Sequence, residues 1–109
     1  PFETAEAFAK EYPGTLVWKD ACTMVRCGRG DVYLNQSGND GMATAGSGDV
    51  LAGLLGGLLA AGLAPDQAAP LGVYLHGAAG DYAQIQKGRH SMTAKDILEG
   101  IPHAIQKNI

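Results

Sequence analysis

The residues most able to do chemistry are Gly46, Ser47, Gly48 and Asp49, which stand immediately before a long apolar run at helical spacing. The first turn of any helix carries N–H groups without intrahelical acceptors, and its dipole favours negative charge. Glycines at 46 and 48 let that backbone turn tightly and approach a phosphate with no side chain in the way. A carboxylate beside a bound phosphate is repulsive in a pure binding loop, so Asp49 points to a task that needs its charge. That task is to orient a hydroxyl attacking a terminal phosphoryl group and to accept its proton late in the transfer. The competing reading is that Ser47 or Asp49 only caps a buried helix. Named phosphate loops do not decide between the two. The Lys-Ser/Thr pair of a Walker loop is absent, and Leu51 stands at the third-glycine position of a dinucleotide fingerprint.

The elements that must position this turn follow from the hydrophobic pattern. Residues 4–11 suit a short amphipathic helix ended by Pro13 and Gly14, and residues 15–18 a short strand. Residues 23–27 and 31–35 are predicted as an antiparallel hairpin with Gly28, Arg29 and Gly30 in its loop. The Arg29-Gly30-Asp31 triplet is accounted for by that turn and not by adhesion. Val50, Leu51, Leu54, Leu55, Leu58 and Leu59 form the stripe of the first long helix. Gly53, Gly56 and Gly57 lie off the stripe, which predicts a helix buried on more than one side. Gly62 ends it, and Pro65 opens a second helix reaching about Gln86, with Ala68, Ala69, Leu71, Val73, Leu75, Ala79, Ala83 and Ile85 as its apolar positions. Thr93 and Asp96 predict a capping box for a third helix that turns Ile97, Leu98, Ile101 and Ile105 inward. The expected class is α/β, short strands and a hairpin followed by three helices, with no complete parallel sheet of its own.

Composition bounds the partners. The chain has 109 residues, a formal charge of -3 and 17% charged residues, below the roughly 25% usual for a soluble chain. Surface covered in a larger assembly, including a homo-oligomer, is expected to carry so little charge. A nucleic-acid surface needs a basic stripe, and Lys87, Arg89 and His90 are too few. Cys22 and Cys27 have neither redox-pair nor disulfide-framework spacing, and no metal-site grouping is evident. Without a bilayer-length apolar stretch, the cytoplasm is the expected compartment.

The run NQSGNDGMATAGSGDVLAGLL from Asn35 to Leu55, followed by LGVYLHGAAGD from Leu71 to Asp81, resembles the C-terminal signature of the ADP/ATP-dependent NAD(P)H-hydrate dehydratases of the ribokinase-like superfamily. The resemblance runs from about Leu16 to the last helix. It implies that residues 1–109 are the C-terminal portion of one nucleotide-binding domain whose N-terminal portion, carrying most of the sheet and of the hydrate pocket, is absent. It implies phosphorylation of the ring hydroxyl of NADH or NADPH hydrate by ADP or ATP, with Mg²⁺ carried on the nucleotide phosphates, and loss of phosphate to regenerate NADH or NADPH. Asp49 corresponds to the base. Gly46, Ser47 and Gly48 correspond to the anion-hole loop, and Asn39, Gly41, Met42, Ala43 and Thr44 to the approach to the phosphates. Lys19 and Thr23 correspond to positions near the nucleotide, and His76 and Asp81 to a helix motif bordering the site. Asp20 and Asp40 depart from the usual glycine and proline. A ribokinase-like vitamin or sugar kinase, and a noncatalytic nucleotide-binding module, are the alternative readings.

Overall fold

A computed structural model describes residues 14–18, 23–28, 30–35, 37, 38, 42, 46–88 and 90–108. The helix expected over residues 4–11 lies outside them, as do Asp20, Cys22, Arg29 and Asp40. Three short strands, β1 (Leu16–Trp18), β2 (Met24–Arg26) and β3 (Val32–Leu34), are followed by three helices, α1 (Ser47–Ala60), α2 (Pro65–Lys87) and α3 (Ala94–Asn108). The strands form an antiparallel meander with β2 in the centre, Val17 opposite Val25 and Val25 opposite Tyr33. The hairpin loop is closed by the Cys27 amide on the Asp31 carbonyl at 2.7 Å, with Gly30 at φ +108°.

Helix α1 ends as its glycine predicts. Gly62 has φ +106°, its amide bonds the Leu59 carbonyl at 3.0 Å, and the Leu63 amide reaches the Leu58 carbonyl at 3.2 Å. These two bonds are the Schellman pattern that a left-handed glycine permits. Helix α2 starts at Pro65, whose missing N–H costs nothing at a first helical position. Pro70 is different, because it leaves the Asp66 carbonyl without its helical donor. The Cys27 thiol lies 3.7 Å from that oxygen and gives it a weak partner. The Asp66 side chain meanwhile accepts from the Thr15 hydroxyl at 2.5 Å and from the Gly28 amide at 2.8 Å, tying the sheet to the start of α2. The predicted capping box of α3 is present. The Thr93 amide donates to Asp96 Oδ2 at 2.8 Å, and the Asp96 amide to the Thr93 hydroxyl at 3.4 Å.

Helix α2 is the spine of the structure. Ala69 and Val73 pack with Val25, Cys27 and Leu51, while Leu75, Ala79 and Ala83 pack with Met92, Ile97 and Ala104. Leu75, Ile97 and Val25 are fully buried, each contributing about 1.5–3 kcal/mol by removal from water. Close approach is made by glycines. A Cβ on Gly72 would stand 2.5 Å from a Leu55 methyl, and one on Gly100 would stand 2.6 Å from the Ala79 carbonyl oxygen.

Several apolar positions face outward against expectation. Ile85 is 79% exposed, Leu98 55%, Leu59 46% and Ile105 38%. In α3 the contact face is Ile97, Gly100, Ile101 and Ala104, because α3 lies close enough to α2 for small residues to form the seam. Only Ser47 and Leu51 of α1 are buried, and among the described residues nothing lies within 4 Å of a Cβ placed on Gly53, Gly56 or Gly57. Burial of α1 on more than one side is therefore not what these contacts provide.

Candidate active site

The turn into α1 is built around Gly46. Its φ of +88° is a left-handed conformation that disfavours side chains, and an added Cβ would also stand 3.2 Å from Ala94 Cβ. The Val50 amide donates to the Gly46 carbonyl at 3.1 Å, closing the first helical turn. The N–H groups of Ser47, Gly48 and Asp49 precede that bond and so have no acceptor within the helix. They are a cluster of positive dipole ends at one place.

The side chains of this turn divide into an inner and an outer set. Ser47 is buried, and His76 Nε2 lies 3.1 Å from its carbonyl oxygen and 3.3 Å from its hydroxyl. What Ser47 offers outward is therefore backbone. Asp49 is exposed, and among the described residues its carboxylate has no hydrogen-bond partner. Gly46 occupies the N-cap position, with no side-chain capping bond, so neither Ser47 nor Asp49 is the cap.

Asn35, Ser37, Gly38 and Met42, the described residues between β3 and this turn, are seated on α2. Asn35, buried at the exit of β3, accepts from the Tyr33 hydroxyl at 3.1 Å and the Ser37 hydroxyl at 3.0 Å. Its amide group donates to the Ser37 carbonyl at 3.2 Å and the Val73 carbonyl at 3.4 Å. The Gly38 amide donates to Asp81 Oδ2 at 3.0 Å. Ser37 lies against Gly77 and Met42 against Gly80, each in the space a Cβ would need. A groove of about 560 Å³ opens beside this loop between α2 and α3, bordered by Ser37, Asp81 and Tyr82, the last stacked on His103 at 4.1 Å.

Of the sequence-predicted site residues, Gly46, Ser47, Gly48 and Asp49 come together on one helical turn. Met42 points into the core beside α2, and Thr23 stands at the entry to β2, where its carbonyl accepts from the Asn35 amide at 2.9 Å. Lys19, Asn39, Gly41, Ala43 and Thr44 lie outside the described residues. His76 and Asp81 are buttresses of the loop and turn. Sequence reasoning did not assign a role to Asn35 or Ser37; their signal was a polar cluster at a strand exit next to glycines. Among the described residues, no three His, Cys, Asp or Glu side chains come together as a metal site, and no helix is long and apolar enough to cross a membrane.

With this geometry established, comparison with known proteins is specific. A family model for NAD(P)H-hydrate dehydratase matches residues 2–103. The bifunctional NAD(P)H-hydrate repair enzyme of Moorella thermoacetica is 49% identical over 104 residues, 95% of this chain and 20% of that protein. The ADP-dependent (S)-NAD(P)H-hydrate dehydratase of Neisseria meningitidis is 47% identical over 77 residues, 71% of this chain and 26% of that protein. In structure, the ADP/ATP-dependent NAD(P)H-hydrate dehydratase of Bacillus subtilis, co-crystallised with ATP and Mg²⁺, superposes with a TM-score of 0.89 at 30% identity, over 96% of this chain and 38% of that one. The chain thus spans about a fifth of the length of the bifunctional relative and under two fifths of the solved one. An α/β fold with three antiparallel strands and three helices, a glycine-entered helix start carrying Asp49, and a family match over nearly all its length agree: this chain belongs to the NAD(P)H-hydrate dehydratase family.

Proposed function

We propose that the protein carrying this chain restores NADH and NADPH from their hydrates at the expense of ADP or ATP. The observation that carries this reading is the exposed Asp49 carboxylate on the same helical turn as three N–H groups without helical acceptors, entered through left-handed Gly46. The N–H groups bind and orient the terminal phosphoryl group, and Asp49 holds the ring hydroxyl in line with it. The hydroxyl oxygen forms a bond to phosphorus as the bond from phosphorus to the leaving nucleotide oxygen breaks, and the hydroxyl proton passes to Asp49. The phosphate then departs with the electron pair of its carbon–oxygen bond, and loss of a proton from the adjacent ring carbon forms the double bond. Mg²⁺ bound to the nucleotide phosphates supplies neutralisation of their charge. The α1 turn fits nucleotide phosphates carrying such an ion, since the donors it offers to the anion are backbone amides.

Lys19, Thr23, Asn39, Gly41, Met42, Ala43 and Thr44 are assigned to the nucleotide side of the site on the family motif. Met42 contributes there through backbone position, since its side chain packs against the core. The remaining substrate surface belongs to further residues of the same domain, in keeping with relatives several times this length. The test is NADH-hydrate repair by the domain containing this chain, with ADP or ATP and Mg²⁺. Asp49→Asn should lower the rate by about 10²–10⁴-fold with the fold retained, the range for loss of a positioned acid–base group. Repair that needs no nucleotide, or that is unaffected by Asn, would sink the assignment.

A further inference from the structure

We infer that His76 is a positioning residue for the phosphate-binding turn, acting through the Ser47 carbonyl to aim the Gly48 N–H. The inference rests on the role proposed above for the α1 turn. His76 lies in the middle of α2, only 8% exposed, 29 positions from Ser47 in sequence. A carbonyl oxygen can only accept, so a ring nitrogen 3.1 Å away from it must carry the proton. This defines the tautomer with hydrogen on Nε2, and the Ser47 hydroxyl oxygen at 3.3 Å is within reach of the same donor.

The consequence lies on the other side of one peptide bond. The Ser47 carbonyl and the Gly48 N–H belong to a single planar trans unit and point in opposite directions. Fixing the oxygen on His76 therefore fixes the direction of the Gly48 N–H, one of the three donors without a helical acceptor. Gly48 has no side chain to restrain that unit, and its neighbour Gly46 adds a second permissive joint. A buried imidazole on a well-packed helix adds a second restraint, from outside α1, to a carbonyl that the first turn of the helix ladder also engages. Preorganised donors are what an anion hole depends on, and a carbonyl that accepts a hydrogen bond also polarises the N–H of its own amide.

A histidine that merely filled space would be replaceable by any side chain of similar volume, which makes two variants of the active domain decisive. His76→Leu keeps the bulk and removes the donor; His76→Gln removes the ring but keeps a donor nitrogen at similar reach. His76→Leu is expected to lower kcat by about 10–100-fold, less than deletion of an anion-hole donor, with KM for the hydrate little changed. His76→Gln is expected to restore most of that loss. Independently of turnover, the Gly48 amide resonance should shift on addition of ADP in the wild type and the Gln variant and respond weakly in the Leu variant. Equal kcat in wild type and His76→Leu, equal impairment of both variants when folded, or a wild-type Gly48 amide indifferent to ADP would each overturn the inference. If the wild type binds ADP but repairs no hydrate, the proposed reaction falls while the amide measurement still decides the role of His76.

Discussion

Gly100 on α3 faces the backbone of Ala79 on α2, and a Cβ built on it would stand 2.6 Å from the Ala79 carbonyl oxygen. Main chain cannot rotate away as a flexible side chain can, so Gly100→Ala must separate the two helices where Leu75, Ile97 and Ala104 meet. Overpacking of this kind costs about 1–3 kcal/mol, more than the roughly 0.5–1 kcal/mol that alanine gains over glycine inside a helix. Thermal unfolding should show Tm lowered by several degrees. Gly53→Ala is the matched control, since among the described residues nothing lies within 4 Å of its Cβ, and it should leave Tm unchanged or raised.

The Asp66 carboxylate joins β1, the hairpin loop and α2 through the Thr15 hydroxyl and the Gly28 amide. Asp66→Ala removes both bonds and is expected to cost about 1.5–3 kcal/mol, the range for hydrogen bonds to a charged group. Hydrogen exchange at Gly28 should accelerate in the same variant. Asp66→Asn, which keeps an acceptor oxygen, should lose less; an unchanged exchange rate at Gly28 in Asp66→Ala would refute the link.

At the start of α3, the Thr93 amide donates to the Asp96 carboxylate and holds its pKa below the ordinary 3.8; burial opposes this, while the Thr93 hydroxyl and the Lys87 and Lys95 charges reinforce it. A carboxyl group with a depressed folded-state pKa contributes stability that is complete above its unfolded value and lost as pH falls through the folded one. The contribution should therefore be constant above about pH 4 and fade below it. Asp96→Asn should flatten that acid limb of the stability curve, and Thr93→Ala should cost about 1 kcal/mol as a lost helix cap. Denaturant titrations of the three proteins between acid and neutral pH check both outcomes.

The Thr93–Asp96 box and the Gly62 terminus were legible because each is set by residues three to five apart, within reach of local geometry. The three strands and three helices followed from period changes in the same way. The inward face of α3 did not. Leu98 and Ile105 are the larger apolar residues, yet Gly100 and Ala104 make the seam, because how closely two helices approach is a tertiary quantity. In the site, the glycine turn and Asp49 stood out by residue type and spacing. His76 did not, since its partner is a backbone carbonyl 29 positions away that leaves no mark on the local pattern.

The loop before the turn offers a graded test of how far α2 controls the site. The atoms nearest a Cβ on Gly80 belong to the Met42 side chain, whose thioether can swing aside, whereas those nearest a Cβ on Gly77 are the Ser37 hydroxyl, its Cβ and its backbone carbonyl carbon. Methionine adapts to such intrusions at small cost; the Ser37 backbone cannot move without moving Gly38, whose amide is held by Asp81. Gly77→Ala should therefore displace the loop that leads to Gly46 and lower nucleotide-dependent kcat/KM by about tenfold or more, as misplacement of positioning groups does. Gly80→Ala should cost about threefold or less in the same assay, within the tolerance of a repacked methionine. The order of the two effects carries the test. If Gly80→Ala proves the more damaging with both proteins folded, the loop is governed by Met42 packing and not by its backbone seat on Gly77.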